Sequence, residues 1–207
     1  PEGIDGKITP FAAPEGIKLI SIGFFLKPGE PVIWRGPMLH GAVRQFLGDV
    51  AWGELDYLII DLPPGTGDIQ LTLSQIVPVT GAVLVTTPQD VALEDMKKSA
   101  LAMNRVNIPI LGIVENMCGY TCRHCGETEH LFGKGGGRRA AAEFEVPFLG
   151  EIPLDPRVMV GGDTGKPVVL HDPSAPAAEA LTALAKAVAE QVVRQDRPES
   201  VSHSSSS

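Results

Sequence analysis

The sequence is poor in cysteine, in aromatic side chains and in positive charge, and each shortage excludes something. Three cysteines in 207 residues are too few, and odd in number, for a disulfide scaffold; they point to a reducing, cytoplasmic setting. Seventeen Lys and Arg against 25 Asp and Glu leave a net charge of −8, which repels phosphate backbones and argues against nucleic acid as a partner. No apolar run reaches the roughly 18 residues of a membrane-spanning helix, so no membrane is expected. Neither a signal peptide nor an internal repeat is visible. Also missing is any G-x-x-x-x-G-K-[ST] phosphate loop. Gly165-Lys166 runs into Pro167 and has Val160 where the first glycine belongs. Gly133-Lys134 is followed by Gly135 and has Thr128 at that place.

What is present is an ordinary globular composition, 43% hydrophobic and 20% charged. Residues 1–16 read as a loop or frayed arm, with a Pro-Glu-Gly turn at each end. Residues 17–22 form a short apolar run fit for a strand. From Pro37 to about Val50 the apolar spacing is helical. Residues 55–60 (LDYLII) are continuous, apolar and β-prone, and predict a buried strand ending on Asp61. Asp68 has the chemistry of an N-cap for a helix running to about Val77. A strand over 81–87, a helix over 90–106 and a strand over 108–115 follow, then a short helix over 138–145 and a strand over 148–152. Residues 154–173 read as loop, and Pro176 opens a final amphipathic helix. The Ser-rich end, within 196–207, reads as a disordered tail. Strands alternating with helices predict an α/β fold, a mostly parallel sheet with helices on both faces. One domain over 17–195 is expected, with a metal-binding loop at 118–126. The opening at Pro1, in Gly/Pro-rich text, suggests an N-terminally incomplete fragment.

In such sheets ligands sit at the carboxyl ends of strands. A carboxylate at position 61 can hold a Mg²⁺-bound water there, as strand-end aspartates of phosphate-transferring NTPases do. Pro63 and Pro64 stiffen the turn behind it, while Gly65 and Gly67, flanking Thr66, let backbone N–H groups approach a terminal phosphate. The plainer reading is an aspartate that ends a strand before a turn.

Cys122 and Cys125, spaced C-x-x-C and followed by Gly126, can chelate one metal ion. Zinc would need two more ligands, drawn from Cys118, His124 or His130. A redox dithiol should open a helix, and none is expected here. A four-thiolate iron–sulfur cluster closes if two copies each give Cys122 and Cys125. Two free cysteines are the remaining possibility.

The strings PVIWRGPMLH at 31–40, DYLIIDLPPGTGD at 56–68, TTPQDVAL at 86–93, GIVENM at 112–117 and CRHCG at 122–126 together resemble the Mrp/ApbC-type iron–sulfur cluster carrier ATPases. These are relatives of MinD and the nitrogenase iron protein. The resemblance, covering about residues 17–173, implies a deviant P-loop NTPase fold, a homodimer, and a [4Fe–4S] cluster bridged between the C-x-x-C pairs of two subunits. It also implies binding and slow hydrolysis of ATP with Mg²⁺, and delivery of the cluster to apo iron–sulfur proteins. By position, Asp61 resembles the magnesium-side aspartate and residues 63–68 the switch that senses the γ-phosphate. Asn116 resembles the asparagine that reads the adenine edge, and Cys122 and Cys125 the cluster ligands. The family's glycine-rich loop is expected ahead of Pro1. Cys118 stands where the family usually has a small polar residue. Two alternatives stay open: a MinD/ParA-like ATPase switch with structural zinc at the C-x-x-C, and a non-enzymatic metal-binding paralogue.

Overall fold

The computed structural model describes residues 3–4, 6–26, 36–62 and 67–195, with the side chains of 3, 4, 36, 37, 67 and 68 left aside. The chain forms two compact units, Pro1–Pro78 and Val79–Ser207.

In the first unit short ladders replace the expected frayed arm. β1 (Gly3–Ile4) pairs antiparallel with β2 (Lys7–Ile8), and β3 (Phe11–Ala12) with β4 (Lys18–Leu19). The strand expected over 17–22 is thus only two residues long. It gives way to a 3₁₀ turn, Ile22–Phe25, which Ser21 caps by accepting from the Gly23 N–H. The helix α1 (Gly36–Gly48) forms as its spacing predicts. Helix α2 (Gly67–Ile76) begins one residue before Asp68, so that aspartate lies inside the first turn rather than at the cap. His40 Nδ1 on α1 and Thr72 Oγ1 on α2, 3.1 Å apart, tie the two helices together.

Residues 55–60 correct a firm expectation. They form no strand and are exposed, Ile59 by 90%. The physical reason is the absence of a neighbour. A strand's backbone groups are satisfied by adjacent strands, and no ladder among the described residues includes 55–60. Apolar composition selects a sheet environment without supplying one.

The second unit meets the expected pattern. β5 (Ala82–Thr86), β6 (Ile110–Asn116) and β9 (Phe148–Ile152) form a parallel sheet in that order. Helix α3 (Asp90–Arg105) links the first two strands, and α4 (Gly136–Glu143) lies between the last two. On β6, Leu111 through Glu115 are all buried. Successive strand residues point to opposite faces, so both faces of the central strand are covered. Leu84, Ile113, Leu93, Met96, Ala100, Ala140 and Ala141 make one core with α3 and α4, while α7 (Pro176–Gln195) packs on β9 and β6.

Between β9 and α7 the structure overturns the loop expected over 154–173. It holds α5 (Pro156–Thr164) and α6 (Val168–His171). The first has a helix-start signature that was there to read: Asp155 caps it by accepting from the Arg157 N–H, and Pro156 follows at the first helical position. After Cys118 the chain forms a small hairpin, β7 (Tyr120–Thr121) against β8 (Thr128–Glu129). No helix among the described residues is long and apolar enough to cross a membrane. The tail expected within 196–207 lies outside the described residues.

Candidate metal centre

The cysteine-bearing loop leaves the carboxyl end of β6 and returns to the start of α4. Its outgoing arm is stitched to the end of β9 and the residues just beyond it: the Cys118 N–H donates to Ile152 O (3.1 Å) and the Leu154 N–H to Gly119 O (2.9 Å). The hairpin stem is closed by Thr121 and Thr128, whose hydroxyls lie 3.0 Å apart. At the tip the chain reverses tightly. The Cys122 N–H donates to Glu127 O (2.8 Å) and the Gly126 N–H to Cys122 O (2.9 Å). Gly126 takes φ +76°, a conformation that costs glycine little and other residues more.

The tip also sets the chemistry of Cys122. Hydrogen bonding from the backbone N–H groups of Cys125 and His124, and then from the Cys125 side chain, lowers the Cys122 pKa. The thiolate is thereby favoured, and thiolate is the form that ligates metals. Cys125 is exposed. Cys118 behaves oppositely: burial first, then the charges of Glu151 and Glu115, push its thiol up. Among the described residues no three His, Cys, Asp or Glu side chains converge as a metal cage.

Arg123, between the two cysteines, reaches toward Asp155, with its Nη2 3.9 Å from Oδ1. Asp155 is buried and gripped by Arg157, whose Nε and Nη2 donate at 2.7–3.0 Å, while Nη1 donates to Asp172 at 3.0 Å. The Arg157 hydrogen bonds hold the Asp155 carboxyl below the usual range. Sequence reading missed this group, although Asp155-Pro156-Arg157 spells a capped helix start.

The remaining expected site residues are less assembled. Asn116 stands at the base of the same loop, in register with Ile152, and its Oδ1 accepts from the Met117 N–H at 2.9 Å. Asp61 belongs to the first unit, exposed and after an irregular segment rather than at a strand's end. Pro63, Pro64, Gly65 and Thr66 lie outside the described residues, and Gly67 opens α2.

A parallel sheet wound with helices, carrying two cysteines on a tight turn in the loop that follows its central strand, defines an α/β architecture. Residues 1–189 match the family model ParA, described as NUBPL iron-transfer P-loop NTPase. The chain belongs to that family. It is 50% identical over 187 residues to the iron–sulfur cluster carrier protein of Methanocaldococcus jannaschii, covering 89% of this chain and 64% of that protein. It is 44% identical over 177 residues to the iron–sulfur cluster transfer protein NUBPL of Dictyostelium discoideum, covering 86% and 55%. The chain thus spans only about half to two thirds of the length of such curated relatives. Among solved structures it resembles a nucleotide-binding protein from Archaeoglobus fulgidus in complex with ADP, with Co found in it (TM-score 0.65, 40% identity, 79% of this chain and 63% of that one). The MinD cell-division ATPase of Pyrococcus furiosus shares the fold (TM-score 0.53, 24% identity, 75% and 59%).

Proposed function

We propose that this chain carries an iron–sulfur cluster as cargo, held by Cys122 and Cys125, and passes it to apo iron–sulfur proteins. The observation that carries the reading is the tip of the loop: two cysteines on one tight turn, with Cys122 eased toward thiolate and, among the described residues, no group of three His, Cys, Asp or Glu side chains that completes a cage around them. A [4Fe–4S] cluster takes four thiolates, so two copies of the chain close the site across a two-fold axis. The carrier and transfer names of its relatives support the same reading. Zinc bound singly would require ligands that the described part of one chain does not bring together.

The nucleotide side of the reading rests on the family. Asn116, at the carboxyl end of β6, is proposed to face a nucleotide base, and Asp61 with Pro63, Pro64, Gly65, Thr66 and Gly67 to face magnesium and phosphate. The described residues do not themselves fit a Mg²⁺ site: Asp61 is exposed, and no ligand cluster forms around it. No phosphate-loop motif occurs in the 207 residues. We therefore assign cargo binding to this chain and derive no hydrolytic step for it. ATP hydrolysis is proposed only for a protein that also supplies the phosphate loop.

The test is anaerobic reconstitution followed by iron and sulfide analysis of Cys118→Ala, Cys122→Ala and Cys125→Ala. Loss of the cluster in the last two and its retention in the first is expected. Loss in Cys118→Ala, or stoichiometric zinc in place of iron, contradicts the assignment. Calorimetry on the same 207 residues should find no micromolar affinity for ATP, because the β- and γ-phosphate contacts of a P-loop come mostly from the absent motif.

A further inference from the structure

The glycine-rich turn that fails as a phosphate loop does cradle an oxyanion, and the anion is internal. Glu115 on β6 is fully buried, at 0% exposure. Its Oε1 accepts from the Gly135 N–H at 3.0 Å and its Oε2 from the Gly137 N–H at 2.6 Å. A buried carboxylate is costly unless its oxygens are satisfied, and here each has a backbone donor at the positive end of a helix. Helix α4 has no cap of its own: its N-cap is Gly135, in the left-handed region and without a side chain. Glu115 serves as that cap from 20 residues away.

The placement ties the carboxylate to the metal loop. The loop departs immediately after Asn116 and returns at Gly135, so the Glu115 bonds close its neck. The outgoing arm has its own anchors on the Ile152–Leu154 segment. The returning arm is held by the hairpin rungs, by His130 Nδ1 donating to Cys118 O at 2.6 Å, and by Glu115. The neck has no slack. A Cβ on Gly136 would lie 2.6 Å from Pro88 O, and one on Gly137 would lie 3.0 Å from the Glu115 Cβ.

We infer that Glu115 is a positioning residue for the cargo site: by clamping Gly135 and Gly137 it fixes the returning arm and so the spacing and aim of Cys122 and Cys125. The inference rests on the carrier reading above. It assigns to Glu115 the work that outer-shell partners do at metal sites, where their loss costs about 10- to 100-fold in affinity.

The experiment compares the full chain with Glu115→Gln on two measures. Without metal, amide hydrogen exchange is read at Cys122, Gly126 and Gly135. With Co²⁺ as the probe, thiolate-to-cobalt absorption gives affinity and band shape. Glu115→Gln keeps the shape of the side chain but sets an NH₂ against an N–H donor. Faster exchange at the three loop amides, with α7 amides unchanged, and Co²⁺ binding weaker by about tenfold or more are expected. Wild-type exchange and wild-type Co²⁺ affinity in Glu115→Gln overturn the inference. Should that variant not fold, Gly137→Ala, which presses on the same neck, is read on both measures. Loss of the fold in both variants also overturns a role confined to the loop. The carrier reading fails separately, if the wild-type chain gives no cysteine-dependent cobalt band or keeps it in Cys122→Ala; the metal-free exchange still judges Glu115.

Discussion

Two apolar runs in this molecule look alike in sequence and end differently. Residues 55–60, LDYLII, lead into an aspartate; β6, ILGIVEN, ends on a glutamate and an asparagine. The second is paired on both edges, by β5 and β9, and Ile113 within it is 0% exposed. The first is paired with nothing among the described residues, and its apolar side chains face solvent. A strand is a property of a sheet, and an isolated run of β-prone residues cannot satisfy its own backbone. The same contrast separates the two acidic residues. Glu115 is sequestered and bonded through both oxygens, whereas Asp61 is exposed.

The comparison breaks most readily at its two isoleucines. Ile113→Ala should destabilise the second unit by about 3 kcal/mol, within the usual range for a buried isoleucine, while Ile59→Ala should change stability by less than about 0.5 kcal/mol. Urea unfolding measures both. Equal losses at the two positions would mean that residues 55–60 are buried in solution.

A smaller effect is expected at the start of α5. Asp155→Ala removes the cap and the Arg157 pair together and should cost about 1–3 kcal/mol. Because the folded carboxyl sits below its usual range, its stabilisation is present above the unfolded pKa and fades as pH falls through the folded value. The difference between wild type and Asp155→Ala should therefore shrink under strongly acidic conditions. A difference that grows on acidification contradicts the ion-pair assignment.

The smallest effect is a rate difference between thiols of one loop. Cys122, lowered by N–H donors, should be alkylated by iodoacetamide at a lower pH than Cys118, which burial raises. Peptide mapping across a pH series reads the order. Cys118 reacting first would place the donors on the wrong sulfur.

Much of the second unit was legible because local and global signals agree there. The strand Phe148–Ile152 forms where its apolar run is bounded, and the final helix opens at Pro176 as expected. The spacing of Cys122 and Cys125 with Gly126 behind them fits the tight turn that the structure places there. The miss over 154–173 was avoidable, since Asp155 and Pro156 mark a helix start. Two others were not. No local pattern says that 55–60 would find no partner strand, since pairing is decided by distant sequence. Nor could spacing reveal Glu115, which read only as the end of a strand. Its partners, Gly135 and Gly137, lie 20 and 22 residues on, in a turn that a motif search rightly rejects as a phosphate loop.

The central claim is that one chain holds half a metal centre. Sedimentation of the anaerobically reconstituted chain, with iron counted in each species, tests it most directly. The account predicts a dimer carrying one [4Fe–4S] cluster per two chains, which reverts toward monomer when the cluster is removed or when Cys122 or Cys125 is replaced by alanine, because the shared cluster stabilises the pair by mass action. A full cluster sedimenting with a monomer would contradict it.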